Sequence, residues 1–177
     1  GDDALDFVGQ RHGIGTRRVR RAPGPDDVLG VIEQLAGAPI PASALESLVL
    51  PTRLPGYSPA LLDELTSAGE VTWTGCGTLA GGDGWLAVAP TDLADLLLPE
   101  PETDLVATPL HRALLDTLDA GGALFFRQLT ERAHAALRAG GDPEAARESA
   151  LPDDATVVAA LWDLVWAGLA TNDTLAP

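Results

Sequence analysis

The 177-residue sequence has no methionine, no lysine and a single cysteine, Cys76. One cysteine excludes an internal disulfide framework and suits a reducing compartment, so the expected location is the cytoplasm. No apolar run reaches the roughly 18 residues that a membrane span requires. The opening residues carry Asp2, Asp3 and Asp6 and lack the hydrophobic stretch of a signal peptide. A chain that opens on Gly1 and holds no methionine is expected to be a piece of a longer protein. Catalytic groups are equally sparse. His12, His111 and His134 have no ligand spacing with one another, with Cys76 or with paired acids, so no metal site is expected. Cys76 has no base nearby in sequence and is not a candidate nucleophile. The stretch Gly75–Gly84 matches a phosphate loop only in its glycine count. No lysine follows it, and it joins two strand-like segments rather than a strand and a helix. There is no Walker or helicase motif, so neither a catalytic residue nor a cofactor is expected in this chain.

What is present is acid. The net charge is −15, with 26 acids against eleven bases, all of them arginine. Five arginines, Arg11, Arg17, Arg18, Arg20 and Arg21, fall in residues 1–22 and leave that stretch at +2; the remainder stands at −17. A body this acidic repels phosphate at long range, so any contact with nucleic acid must be local.

Periodicity divides the chain. Residues 1–22 form an N-terminal arm or the end of a preceding element, closed by Pro23-Gly24-Pro25. Asp26 or Asp27 caps a helix through Val28, Val31, Ile32 and Leu35. Ser43 opens a short second helix before Pro51, and Ser58-Pro59 opens a third that stops at Gly69. Strand-like stretches follow at 70–74 and 85–89 around the glycine-rich tip. Three helices and a hairpin predict a winged-helix domain over 23–98, with the hairpin as the wing. Residues 99–108 read as a linker. A second set, 109–177, has helices at 110–120, 127–139 and 153–167, a short strand at 123–126 and an incomplete wing from Leu169. The fold class is thus mainly α with small β-hairpin wings (α+β): tandem winged-helix domains, the second truncated. Ala60, Leu62, Leu65, Ala68 and Gly69 recur as Ala159, Leu161, Leu164, Ala167 and Gly168 at a constant offset of 99, with Glu64 in register with Asp163.

The third helix of such a module normally enters the major groove and needs Arg, Lys, Asn or Gln to do so. Here Ser58–Ala68 has two acids and no base, and Asp153–Ala167 has three acids and no base. Groove reading is not expected of either. The candidate nucleic-acid contacts are Arg17, Arg18, Arg20 and Arg21 on phosphate, Arg53 at the entry to the third helix, and Trp73 and Trp85 as stacking rings. The competing expectation for Trp73 and Trp85 is a cross-strand aromatic pair that stiffens the wing. Trp162 and Trp166, four apart on one helix face downstream of Phe125 and Phe126, read as core.

Several stretches resemble the C-terminal region of actinobacterial Lhr-type (large helicase-related) ATP-dependent DNA helicases. They include Leu48–Arg53, Gly56–Leu65, Gly69–Gly75, Gly82–Trp85 and Gly122–Leu129. The most specific are Ala160-Leu-Trp-Asp-Leu-Val-Trp-Ala-Gly-Leu169 and Thr171-Asn-Asp-Thr-Leu-Ala-Pro177. The resemblance implies a parent with RecA-like motor domains using ATP and Mg²⁺ outside this chain. It also implies a C-terminal region of tandem winged helices and a small barrel, linked to oligomer formation and, in some members, to glycosylase activity. By that resemblance the chain is a non-catalytic accessory segment of a DNA-repair helicase. Its partners would be other domains of the same protein, further copies of it, and DNA held weakly and without sequence preference. Two alternatives remain: part of a winged-helix DNA glycosylase-like unit, and a winged-helix transcriptional regulator. Glycosylases of the similar alkylpurine type carry Gln-x-Gln, whereas the glutamines here are Gln10, Gln34 and Gln128.

Overall fold

A computed structural model of the chain describes residues 21–101, 105–121, 124–140 and 151–172. Helix α1 (Pro25–Leu35) begins with Pro at its first position and two acids, Asp26 and Asp27, in the first turn, where they complement the helix dipole. Its N-cap is Gly24, whose backbone N–H donates to the Asp27 carboxylate at 2.8 Å. Asp27 therefore acts from inside the first turn rather than from the cap position. The spacing of Val28, Val31, Ile32 and Leu35 buries one face of α1.

The chain then forms β1 (Ile40–Pro41), a strand not expected from the sequence. Helix α2 is one helical run over 42–53 with a π-helical middle, Leu45–Val49. Pro51 was expected to mark a turn, but it lies inside this run. A wider π turn just before a proline relieves the clash of its ring with the preceding turn. Tyr57 Oη donates to Glu46 Oε1 at 2.5 Å and ties the next turn to α2. Burial, followed by this bond, holds the Tyr57 hydroxyl far above its ordinary pKa.

Helix α3 (Pro59–Ser67) buries Leu62 and Leu65. Strands β2 (Val71–Thr78) and β3 (Gly84–Pro90) return as an antiparallel hairpin, and the three-stranded sheet has the order β1-β3-β2. Helix, strand, two helices and a hairpin in this order are the winged-helix arrangement. Ile32, Leu45, Leu50, Leu62, Leu86 and Val88 are buried at its centre.

Beyond a 3-10 turn, Thr91–Leu93, lie the short α4 (Ala94–Leu97) and then α5 (Pro109–Gly121), α6 (Phe126–Gly140) and α7 (Asp154–Trp166). These last three enclose a second core of Leu110, Leu114, Leu129, Ala133, Val157 and Leu164. Asp153 caps α7 by accepting from the Thr156 N–H at 2.8 Å. The buried His111 joins α5 to α7. Its Nδ1 accepts from Thr108 N at 3.1 Å, which leaves Nε2 to donate to Asp163 Oδ2 at 3.2 Å.

Three expectations for this region change. The strand expected at 123–126 does not form over its described residues: 124 and 125 are not strand and Phe126 is the first residue of α6, while Ala123 lies outside the described residues. Phe125 is 83% exposed rather than core. Residues 169–172 form no strand, and 173–177 of the expected second wing lie outside the described residues. So do residues 1–20 of the expected arm and 102–104 of the linker.

The offset of 99 extends from sequence to backbone. Helix α3 closes with Ala68 N→Glu64 O and Glu70 N→Leu65 O, and α7 closes with Ala167 N→Asp163 O and Leu169 N→Leu164 O. Gly69 and Gly168 both sit at φ 74°. The two sites separate conformational cost from contact. A Cβ on Gly69 meets nothing within 4 Å, so Gly69→Ala is expected to cost about 1–2 kcal/mol from the left-handed conformation alone. A Cβ on Gly168 would stand 2.9 Å from the Gly75 carbonyl oxygen, so Gly168→Ala is expected to cost more. Urea denaturation of the two variants checks the order; equal losses would contradict it.

Candidate functional site: a tryptophan-lined junction

The described residues concentrate unusual chemistry at one place, where the end of α7 meets the winged-helix sheet. Gly75 and Gly84 permit the meeting. A side chain on Gly75 would lie 1.9 Å from the Val165 carbonyl oxygen, and one on Gly84 would lie 2.3 Å from the Trp166 indole. The absence of Cβ at both positions lets a helix end and a large ring lie directly on the strands. Trp73, on β2, is 5% exposed, and its Nε1 donates to the Asn172 carbonyl at 3.0 Å. Thr171 Oγ1 donates back to the Trp73 carbonyl at 3.2 Å. The segment after α7 is therefore bonded to the middle of β2.

Trp162 and Trp166, one turn apart on α7, stack with ring centroids 5.0 Å apart and planes 20° apart. With Trp73, Leu86, Ser43 and Asp83 they line a cavity of about 250 Å³. Asp83 is the polar corner. Its carboxylate accepts from Ser43 Oγ at 2.6 Å, from Gly84 N at 2.9 Å and from Ser43 N at 3.2 Å. These bonds, the Ser43 hydroxyl first, hold Asp83 below the ordinary carboxylate pKa. They also pin the wing tip to the start of α2.

The candidates from sequence are scattered by comparison. Trp73 and Trp85 do not face each other: Trp73 pairs with Val88, and Trp85 pairs with Pro41 of β1. The ladder shifts between Gly75 and Thr78, and β2 runs on to Thr78, so the turn is not centred where the sequence suggested. Trp73 is buried with its N–H engaged and turns towards the junction rather than standing out as a ring on the wing surface; Trp85 is half-buried. Arg21 pairs with Asp27 at 2.9 Å, and Arg53 Nη1 reaches Gln34 Oε1 at 3.5 Å, both on exposed surface. Arg17, Arg18 and Arg20 lie outside the described residues. The exposed side of α3 presents Glu64 and the half-buried Asp63, with no base. Cys76 is half-buried in β2, and among described residues no three His, Cys, Asp or Glu side chains gather as a metal site. No described helix is long and apolar enough to cross a membrane.

The sequence does not disclose the junction because its paired parts lie up to 99 residues apart. The one local signal was Trp162-x-x-x-Trp166, which fits ordinary core equally well.

The family model described as the winged-helix domain of the large helicase-related protein matches residues 2–91. A Mycolicibacterium smegmatis protein named "Lhr helicase/ probable uracil glycosylase" is 47% identical over 154 residues, which is 87% of this chain and 9% of that protein. An Escherichia coli protein named "Lhr helicase/uracil glycosylase" is 37% identical over 155 residues, again 87% of this chain and 9% of that protein. The chain thus spans about 9% of the length of the curated relatives it matches.

Two outcomes test the junction. Gly84→Ala is expected to expel the Trp166 ring while leaving the Ile32–Leu86 core folded, seen as a red shift of tryptophan emission before unfolding; an unchanged spectrum would count against this packing. The second concerns acid. A carboxylate whose folded pKa lies below its unfolded value contributes stability above the unfolded pKa, near 3.9, and loses it as pH falls through the folded value. Ser43→Ala removes the largest cause of that shift, so the variant is expected to lose less stability than the parent between about pH 5 and pH 2. Urea midpoints across that range measure it.

Proposed function

Because the chain belongs to the large helicase-related family, we propose that it is a non-catalytic accessory segment of a DNA-repair helicase, built to hold domains together. The observation that carries this reading is the junction itself. A winged helix that reads DNA offers its third helix and its wing. In this chain the third helix presents acid, and the wing from Trp73 to Gly84 is covered by Trp166, Val165 and Asn172 of a following helical unit. Both surfaces are committed to something other than a groove.

The following unit is read as a second, related module. Its support is the matching pair of helix ends, closed by the same hydrogen bonds at an offset of 99 around glycines at the same φ. The Trp73–Asn172 bond joins positions separated by the same 99 residues. In this reading the parent's ATP and Mg²⁺ belong to motor domains elsewhere in the longer protein. Further copies of the parent and its other domains are the partners. Nucleic acid is met weakly, through Arg53 and the run Arg17–Arg21.

Fluorescence anisotropy with single-stranded and duplex DNA at rising salt tests this. Each phosphate contact contributes about 0.9 to the slope of log K against log salt on B-DNA. The expected result is micromolar or weaker binding at low salt, without sequence preference and abolished near physiological salt. Arg53→Ala is expected to lower the slope by no more than about 1. Tight sequence-specific binding would sink the reading in favour of a regulator. Both relatives bear the words uracil glycosylase in their names. Base excision by this chain alone on uracil-containing DNA would therefore assign it a catalytic part in place of the accessory one.

A further inference from the structure

We propose that the cavity between the winged-helix sheet and α7 is a receptor for one arginine side chain, presented by another segment of the parent protein. The cavity's walls are of two kinds. Trp73, Trp162, Trp166 and Leu86 supply flat and apolar surface, and Asp83 with Ser43 supplies a fixed polar corner. The hollow is open to solvent on one side, so its volume of about 250 Å³, lined by three indoles, can be entered from outside without unfolding either unit. It is also smaller than the roughly 300–1,000 Å³ of small-molecule sites, which suits a single side chain.

The chemistry of the walls selects the occupant. An anion is repelled by Asp83 and by a chain of net charge −15. An apolar group would strip water from the carboxylate without replacing its lost hydrogen bonds. A nucleobase would bring its phosphate towards the same acidic surface. A cation gains from both walls: the faces of indole rings attract positive charge, and the carboxylate completes its bonding. Asp83 still has room for this. A carboxylate offers about four lone-pair positions. Ser43 N and Gly84 N use those of Oδ1, and Ser43 Oγ uses one on Oδ2. One position on Oδ2 remains for a donor. Arginine fits better than lysine because its planar guanidinium stacks on a ring while its edge donates, whereas an ammonium is a compact, strongly hydrated point charge. The chain itself uses arginine and no lysine.

The test is a titration of the 177-residue chain with the capped peptide acetyl-Gly-Arg-Gly-amide and its citrulline counterpart, which keeps the shape and removes the charge. Indole N–H resonances are followed by heteronuclear NMR and assigned with single Trp→Phe variants. The expected result is saturable movement of the Trp73, Trp162 and Trp166 signals, with Trp85 moving least. The citrulline peptide should bind about tenfold more weakly or less, as should the arginine peptide to Asp83→Asn. Trp162→Leu, which keeps Asp83 and its bonds to Ser43, guards against a misfolded Asp83 variant and should weaken binding as well. Equal response to arginine and citrulline, undiminished binding by a folded Asp83→Asn protein, or uniform movement of all four indoles would overturn the proposal. Stronger movement of the same three signals by a thymidine oligonucleotide would overturn it in favour of a nucleobase site.

Discussion

The contact between α7 and the sheet depends on two missing side chains. At Gly75 a Cβ would overlap the backbone carbonyl of Val165, and at Gly84 it would overlap the Trp166 ring. Any other residue at either position holds the two units apart. Once they meet, the rest follows at short range. The end of α7 reaches β2, Asn172 takes the Trp73 N–H, and Thr171 takes the Trp73 carbonyl. The stacked pair Trp162 and Trp166 is then brought opposite Ser43 and Asp83, which the wing tip and α2 already hold together. Close approach of backbone to backbone is thus the condition on which both the junction and its cavity rest.

Much of the fold was legible because its signals are local. Pro25 with Asp26 and Asp27, Pro59 after Ser58, and Asp153 before Thr156 each mark a helix start within four residues. The spacing of Val28, Val31, Ile32 and Leu35 shows which face is buried. What escaped had no local signal, or a misleading one. Strand β1 is two residues long, ends on a proline and cannot display alternation. Pro51 reads as a breaker, yet a π turn absorbs it. A hairpin centred on Leu79 would have paired Trp73 with Trp85. The hairpin instead closes with Thr78 opposite Gly84, which centres the turn on Gly81, and a one-residue shift between Gly75 and Thr78 then sets Trp73 opposite Val88, in the core.

The site was less legible than the fold for the same reason at longer range. Gly75 and Gly84 drew notice as part of a glycine-rich tip, but a glycine in sequence does not say what approaches it. Trp162 and Trp166 drew notice as an aromatic stripe, but a stripe does not say that it stays half-buried at a cavity rather than filling a core. Asp83 looked like one acid among 26; only the fold gives it the Ser43 hydroxyl and two backbone N–H donors. In each case the residue type was visible and the partner was not.

Charge and geometry bear together on how this winged helix differs from one that reads a groove. Its third helix keeps the amphipathic pattern that packs Leu62 and Leu65 inward, while its outward side carries acid where a groove-reading helix carries donors. That combination keeps the packing of the fold and leaves the outward side of the helix without groove donors. The sheet accepts a helix end, and the small residues of the wing become a seat for Trp166. An arm or wing that contacts DNA gains from remaining mobile until it binds; a wing pinned by Asp83 to Ser43 and covered by α7 has given up that freedom in the folded state. The conformational cost of ordering the tip is met once, at folding, and secures a fixed relation between neighbouring units.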